Sequence, residues 1–274
     1  IQPIYNNSDT HKEVKILKLI YNFYFYRIKK EPHIVIFSGS YSIFSIHNFK
    51  KSKKIIYHHC LPRHIYTNSY SDKNIILRFL FFFYKLIFKF FYKKSIKKAD
   101  LILCNSEYTK NILARNINYL KNKIEVLYPP VDLDKFNIQN SKFSDYFIVN
   151  SRHEKDKNIN LIIESFKNLN LKLYITGTGS LTNSLMLQAK NNKNIIFLGT
   201  LSEMEYINIL KNCRASILLS KLEDFGMSNI EALACGKMIF CHKSGGFIEY
   251  LKNKENCYFI NEKNIIDDLS LKIN

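Results

Sequence analysis

The chain contains no tryptophan, only 8 glycines and 5 prolines, and few acidic groups for its size, 23 Asp and Glu against 41 Lys and Arg. Scarce glycine leaves few places where the backbone can turn sharply or come close to a ligand, so each glycine cluster stands out. The six cysteines are scattered, without Cys-x-x-Cys or any other metal-ligand spacing. That pattern excludes a zinc ribbon and points to reduced thiols and a cytoplasmic setting. The most aromatic run, 75–92, is interrupted by Arg78, Lys85 and Lys89, which makes it a poor membrane-spanning candidate. No RNP, KH or zinc-finger pattern is present, so no nucleic-acid partner is expected. The first residues carry no secretory leader and no initiating Met, and the natural N-terminus is expected to lie further upstream.

What is present is apolar enough to fold. Hydrophobic residues make up 46% of 274, a globular composition long enough for one large domain or two ordinary ones. The abundance of Lys, Asn, Ile, Phe and Tyr reads in part as an AT-rich coding bias. The charge is nevertheless uneven. Residues 1–140 hold 24 Lys and Arg and 9 Asp and Glu, a net +15, whereas residues 141–274 hold 17 and 14, a net +3, together the +18 of the whole. This asymmetry predicts two domains with different partners, 1–140 and 141–274, with a linker near 137–144.

Short apolar runs alternate with amphipathic ones. Strands are predicted at 33–37, 54–58, 99–106, 123–127, 146–150, 171–175, 194–199, 215–219, 238–242 and 257–260. Helices are predicted at 13–30, 107–114, 159–169, 203–212, from 228 onward, at 248–251 and at 265–273. Such alternation is the pattern of doubly wound parallel sheets. The first strand ends in the small-residue turn Ser38-Gly39-Ser40, and the second runs into His59-Cys60-Leu61-Pro62-Arg63. Pro129-Pro130 makes a stiff, extended exit from the first domain.

The region 75–94 is unusual, with Phe79, Phe81, Phe82, Phe83, Phe88, Phe90 and Phe91 interrupted by Arg78, Lys85, Lys89 and Lys93. On a helix these four cations share one face, predicting a basic stripe opposite an aromatic one, the make-up of a helix lying on an anionic membrane surface. The alternative is a helix packed on the sheet with a solvated lysine edge.

The densest chemistry follows the apolar run 215–219, in Glu223-Asp224-Phe225-Gly226-Met227-Ser228-Asn229-Ile230-Glu231. A helix starting near Ser228 would offer free amides and a positive dipole end at a strand's carboxyl edge, a seat for phosphate. The plain reading of Ser228-x-x-Glu231 is a capping box that serves only the helix. Arg152 and Lys157 stand in a loop between strand and helix, where cations can grip a diphosphate or simply be solvated. Thr176-Gly177-Thr178-Gly179 permits close approach of backbone to a nucleotide, a weak signal alone. His59, at a strand end, is either structural or an acceptor-side group, with His58 the alternative if the register differs by one.

The longer pattern Glu-Asp-Phe-Gly-x-x-x-x-Glu-Ala-x-Ala-Cys-Gly, from Glu223 to Gly236, resembles the Glu-x7-Glu signature of retaining glycosyltransferases of family 4. The Ser-Arg…Lys loop and the glycine turns at 176–179 and 244–247 resemble the same family, and Pro129-Pro130-Val131-Asp132 and His59-x-x-Pro62-Arg63 look most like its mannosyltransferase members. The resemblance implies a GT-B fold: two Rossmann-like domains facing a cleft, the first for acceptor and the second for nucleotide sugar. It assigns Glu223 to the donor sugar, Glu231 to the ribose, Arg152 and Lys157 to the diphosphate, and Gly177 and Leu198 to the nucleotide. The backbone of Phe225, Gly226, Met227 and Ser228 would face the diphosphate and sugar. Ser38, Gly39, His59 and Arg63 fall on the acceptor side, and His59, Glu223, Arg152 and Lys157 are the catalytic candidates.

The implied reaction moves a sugar, mannose as first guess, from a GDP- or UDP-linked donor to a glycan or lipid-linked acceptor in envelope polysaccharide or glycolipid synthesis. It needs no cofactor and no metal, and it resembles the family in lacking an Asp-x-Asp metal site. The first strand and glycine-rich loop usual in the family do not precede Ile1, so a shortened form is expected. The competing readings are an inactive fragment and a basic module that binds membrane or nucleic acid without turnover.

Overall fold

The computed structural model describes residues 21, 22, 25, 30–39, 41–61, 75–139, 144–221 and 223–274, with the side chains of 75–81, 118 and 119 excepted. The helix expected over 13–30 lies almost wholly outside the described residues. Two compact units divide the chain, Ile1–Tyr128 and Pro129–Asn274. This division falls earlier than 140 because Val131 and Phe136 already pack into the second unit's core.

The first unit is built on four parallel strands, β1 (Ile34–Ser38), β2 (Lys53–His58), β3 (Leu101–Cys104) and β4 (Ile124–Val126), lying in chain order across the sheet. Its longer described helices are α1 (Ile75–Ile96) and α2 (Glu107–Asn116), the latter capped by Ser106, whose hydroxyl accepts the N–H of Thr109. A 3-10 turn at Ser42–Asn48, without a clear sequence signal, sends Ile43, Phe44 and Ile46 inward. The core forms where Phe44 meets Phe88 of α1 edge-on at 5.2 Å, with Ile56, Ile102 and Tyr92 around them. Each such fully buried side chain contributes about 1.5–3 kcal/mol of transfer free energy.

α1 corrects the expected division into one basic and one aromatic face. Tyr84, Phe88, Tyr92 and Ile96, spaced by four, form the buried ridge, and Lys85, Lys89 and Lys93 run along its flank, one position further round. The remaining face is apolar and exposed: Phe82, Phe83, Leu86, Ile87 and Phe90. The aromatics are thus split between core and surface, and the lysines separate the two. Among the described residues no helix is long and apolar enough to cross a membrane.

The second unit has six parallel strands, β5 (Tyr146–Asn150), β6 (Lys172–Thr176), β7 (Ile195–Gly199), β8 (Ala215–Leu218), β9 (Met238–His242) and β10 (Cys257–Ile260). They lie in the order β10-β9-β8-β5-β6-β7, so the chain reverses direction across the sheet between β5 and β8. Alternate residues enter cores on opposite faces. Phe147, Val149 and Ile217 face one core and Tyr146, Ile148 and Cys241 the other. The helices are α3 (Ile159–Ser165), α4 (Thr182–Ala189), α5 (Glu203–Asn212), α6 (Met227–Ala234) and α7 (Ile265–Ile273). α4 carries little sequence signal, and the helix expected at 248–251 is instead a 3-10 turn over Gly246–Glu249.

Candidate functional site

Open parallel sheets bind ligands beyond the carboxyl ends of their strands where the strand order reverses, because the two flanking loops diverge and leave a crevice. In the second unit that point lies between β5 and β8. The loop after β5 carries Arg152 and Lys157, and the loop after β8 carries Glu223. Lys157 Nζ donates to Glu223 Oε2 at 2.8 Å and to Ser220 Oγ at 3.0 Å, and lies 3.5 Å from Asp156 Oδ2. Its ammonium group is nearly buried, with the lysine side chain 10% exposed and that of Glu223 26%. A buried cation of this kind is held by its paired charges together with its hydrogen bonds. Arg152 is exposed, and no ion pair engages it among the described residues.

Backbone latches hold the two loops in register. Asn158, in the left-handed region at φ 52°, donates through Nδ2 to the carbonyl of Leu219 at 2.8 Å. Gly246 N–H donates to the carbonyl of Glu223 at 2.9 Å, and a Cβ on Gly245 would sit 2.5 Å from that oxygen. Tyr250 Oη donates to the carbonyls of Phe225 at 2.7 Å and Gly226 at 3.0 Å. Phe225 is buried, and burial pushes the Tyr250 hydroxyl's pKa up.

α6 begins at Met227 with Gly226 as its N-cap and no side-chain cap, so the Ser228–Glu231 capping box does not form. The capping box of this unit is Ser202 with Glu205, at the start of α5. Met227 is exposed and Ser228 partly so, beside the free amides of the helix start. The Glu231 carboxylate instead accepts the hydroxyl of Tyr206 at 2.8 Å, an interaction absent from the sequence reading. Burial raises the Glu231 pKa.

Next to these groups is a cavity of about 320 Å³ lined by Asn150, Thr176, Gly177, Thr200, Leu201, Ser202, Glu203 and Tyr206. Gly177 has φ 94°, and a Cβ there would lie 2.2 Å from the Ser151 carbonyl, so no other residue fits. Leu198 does not line the cavity; Thr200 and Leu201, further along the same segment, do. His153 is structural: its ring is buried between Thr182 Oγ1 at 2.9 Å and the Thr176 carbonyl at 3.3 Å, and burial lowers its pKa. Lys155 is exposed.

In the first unit the ends of β1 and β2 bring Ser38 and His59 together, with His59 Nε2 at 2.8 Å from Ser38 Oγ. Asn105, at the end of β3, donates through Nδ2 to the His59 carbonyl at 2.6 Å. Gly39 completes the turn at φ 84°. His58 points the other way, into the core against Tyr92 Oη at 3.2 Å, and burial takes its pKa down to about 4. Arg63 lies outside the described residues. Among the described residues no group of three or more His, Cys, Asp and Glu is placed to hold a metal ion. Asp132-Leu133-Asp134 does have Asp-x-Asp spacing, contrary to the expectation; Asp132 Oδ1 accepts the N–H groups of Asp134 and Lys135 in a turn.

Two units of parallel sheet, the second with charged loops meeting at its reversal, define the GT-B glycosyltransferase fold. The chain belongs to the glycosyl transferases group 1, whose pattern it matches over residues 132–274, and residues 9–135 match Glycosyltransferase Family 4. An uncharacterized glycosyltransferase of Methanocaldococcus jannaschii is 29% identical over 68% of this chain and 52% of its own length. The N-acetylgalactosamine-N,N'-diacetylbacillosaminyl-diphospho-undecaprenol 4-alpha-N-acetylgalactosaminyltransferase of Campylobacter jejuni is 30% identical over 69% and 57%. An alpha-1,3/1,6-mannosyltransferase of Dictyostelium discoideum is 26% identical over 86% and 65%. The chain thus spans about half to two thirds of the length of these relatives. Among solved structures, sucrose-phosphate synthase from Thermosynechococcus elongatus has a TM-score of 0.75 at 14% identity, covering 99% of this chain and 71% of that one. An Anabaena protein in complex with UDP and glucose has a TM-score of 0.68 at 14% identity, covering 100% and 74%.

Proposed function

We propose that the chain transfers a sugar, with retention at the anomeric carbon, from a nucleotide diphosphate sugar to a glycan or lipid-linked acceptor. The observation that carries this reading is the meeting of Lys157 and Glu223 across the sheet reversal. A cation and a carboxylate from different loops stand where a diphosphate and its sugar would lie. On this reading the donor enters between them, Lys157 and Arg152 take the charge of the departing diphosphate, and Glu223 is released to hydroxyls of the sugar. The amides from Phe225 to Ser228 add a fixed positive potential, and stabilisation of developing charge is the largest catalytic contribution such a site can make. These groups supply the positive charge without a divalent ion. Glu231 takes the ribose, and the cavity beside Gly177 and Leu201 takes the base. In the first unit, Ser38, Gly39 and His59 serve the acceptor.

Mannose with a GDP or UDP carrier remains the first choice of donor. The mannosyltransferase relatives favour the sugar, and the Anabaena complex with UDP and glucose, a likeness of fold alone, keeps UDP in the comparison. The diphospho-undecaprenol in the name of the Campylobacter relative favours a lipid-linked acceptor in envelope polysaccharide or glycolipid synthesis. Such an acceptor would place the protein at the cytoplasmic membrane face. The exposed apolar face of α1, bordered by Lys85, Lys89 and Lys93, is the surface we assign to contact with anionic lipid.

The test is calorimetric titration with UDP-, GDP- and ADP-sugars on wild type and Glu231→Ala, with turnover measured for Arg152→Ala. Binding of one nucleotide series, weakened at least tenfold in Glu231→Ala, is the expected result. A chain that binds none of them is not a transferase of this kind.

A further inference from the structure

Glu231 is partly buried, and a carboxylate in that position needs a donor to stay charged and to keep one orientation. That donor comes from a different helix. Tyr206 of α5 donates its hydroxyl hydrogen bond to Glu231 Oε2 at 2.8 Å, which leaves Oε1 outside that contact. The same tyrosine lines the 320 Å³ cavity with Asn150, Thr176 and Gly177. Behind it, Thr176 Oγ1 donates to Asn150 Oδ1 at 2.7 Å, and the Asn150 side chain also acts on the Tyr206 hydroxyl. Four elements therefore converge on one carboxylate: β6 through Thr176, β5 through Asn150, α5 through Tyr206 and α6 through Glu231 itself. Without the hydroxyl the carboxylate would be free to rotate about its last torsion, whose energy wells are broad.

We infer that Tyr206 is a positioning residue for donor binding, fixing one oxygen of Glu231 so that the other meets the ribose diol of a nucleoside diphosphate. The inference rests on the assignment of Glu231 to the ribose. Tyr206 touches the carboxylate rather than the reacting atoms, so it governs donor affinity before it governs the transfer step. It also governs the pH range of binding. Burial and the nearby Glu203 raise the Glu231 pKa, and the Tyr206 hydrogen bond lowers it. The Cys235 thiol also lies on that side, kept neutral by burial, with the ammonium groups of Lys211 and Lys237 close to it. Removing the hydroxyl lets Glu231 pick up its proton at higher pH, so the acid limit of nucleotide binding moves upward.

The experiment is calorimetric titration of wild type and Tyr206→Phe with UDP and GDP and with their 2',3'-dideoxy counterparts, across pH 5 to pH 8. Tyr206→Phe is expected to bind the ribonucleotide about tenfold more weakly, the scale of one hydrogen bond to a charged group. The dideoxy nucleotide should bind both proteins equally. The acid limb of the variant's profile should lie at higher pH than that of wild type, a difference in which the nucleotide's own titration cancels. Full retention of ribose discrimination and pH profile by Tyr206→Phe overturns the inference alone. Equal loss for both nucleotides overturns it too, because that marks a general collapse of the pocket. A wild type that fails to distinguish ribo- from dideoxynucleotide, or binds neither, overturns the ribose assignment of Glu231 and this inference with it.

Discussion

The first sheet runs β1-β2-β3-β4 in chain order, and the second turns back between β5 and β8. Consecutive strands keep successive loops on one track, so each carboxyl-end loop has a neighbour directly beside it. At a reversal two loops part, and the gap between them becomes a crevice with side chains from distant sequence facing across it. Lys157 and Glu223 show the consequence, being 66 positions apart and 2.8 Å from contact to contact. In the first unit the groups that meet at strand ends, Ser38, His59 and Asn105, sit on adjacent strands. The two sheets also differ in cover. The second has apolar cores on both faces, whereas Ile34 and Ile36 of β1 are 58% and 63% exposed. The charged loops that meet at the reversal thus belong to the sheet with an apolar core on each face.

The comparison is broken most severely by Lys157→Met. It leaves Glu223 half-buried without its cation and should lower turnover about a thousandfold, read in initial rates with the donor that binds. An equal loss from His59→Ala would shift the weight of the chemistry to the first unit. Next in size is Gly177→Ala, which forces a Cβ at φ 94° into the Ser151 carbonyl. It should cost the second unit about 3 kcal/mol in urea unfolding, with the first unit's transition unmoved.

The third test uses pH. His58 titrates near 4 in the fold against about 6.5 when unfolded. Between those values the unfolded chain binds the extra proton, so stability is lost as pH falls from 6.5 to 4, by as much as about 3 kcal/mol. His58→Leu should flatten that slope in the first unit's transition. The smallest effect belongs to the surface of α1. Phe82→Ser with Phe90→Ser should weaken sedimentation with anionic phospholipid vesicles about tenfold while leaving nucleotide binding in the second unit unchanged.

Strand and helix positions in the second unit were legible because its runs are clean. An apolar run of four or five residues followed by a polar loop and a periodic segment admits few other readings. α4 escaped because neither its ends nor its weak periodicity announce a helix, and the 3-10 turn after Gly245 is too short to be read as anything but a helical turn. In α1 the aromatics do not all share one face. The alternative of a helix packed on the sheet with a lysine edge describes its buried ridge, and the second, exposed apolar face was not foreseen. Helical periodicity groups residues into faces but does not say which face meets the sheet. The choice between His58 and His59 was left open in the sequence, and the strand's alternation sends the first into the core and the second to the surface.

Some properties of this protein were settled by local order along the chain: the parallel α/β class, the family signature at Glu223 and Glu231, and the cationic loop with Arg152 and Lys157. These depend on short-range periodicity and on motif spacing, which a linear string carries in full. Only the folded structure decided that Ser228 does not cap α6, that Glu231 turns instead to Tyr206, and that Lys157 is held by Glu223. Those choices are made by burial, which forces each withdrawn charge or hydroxyl to find whichever partner the packing of distant elements brings within reach.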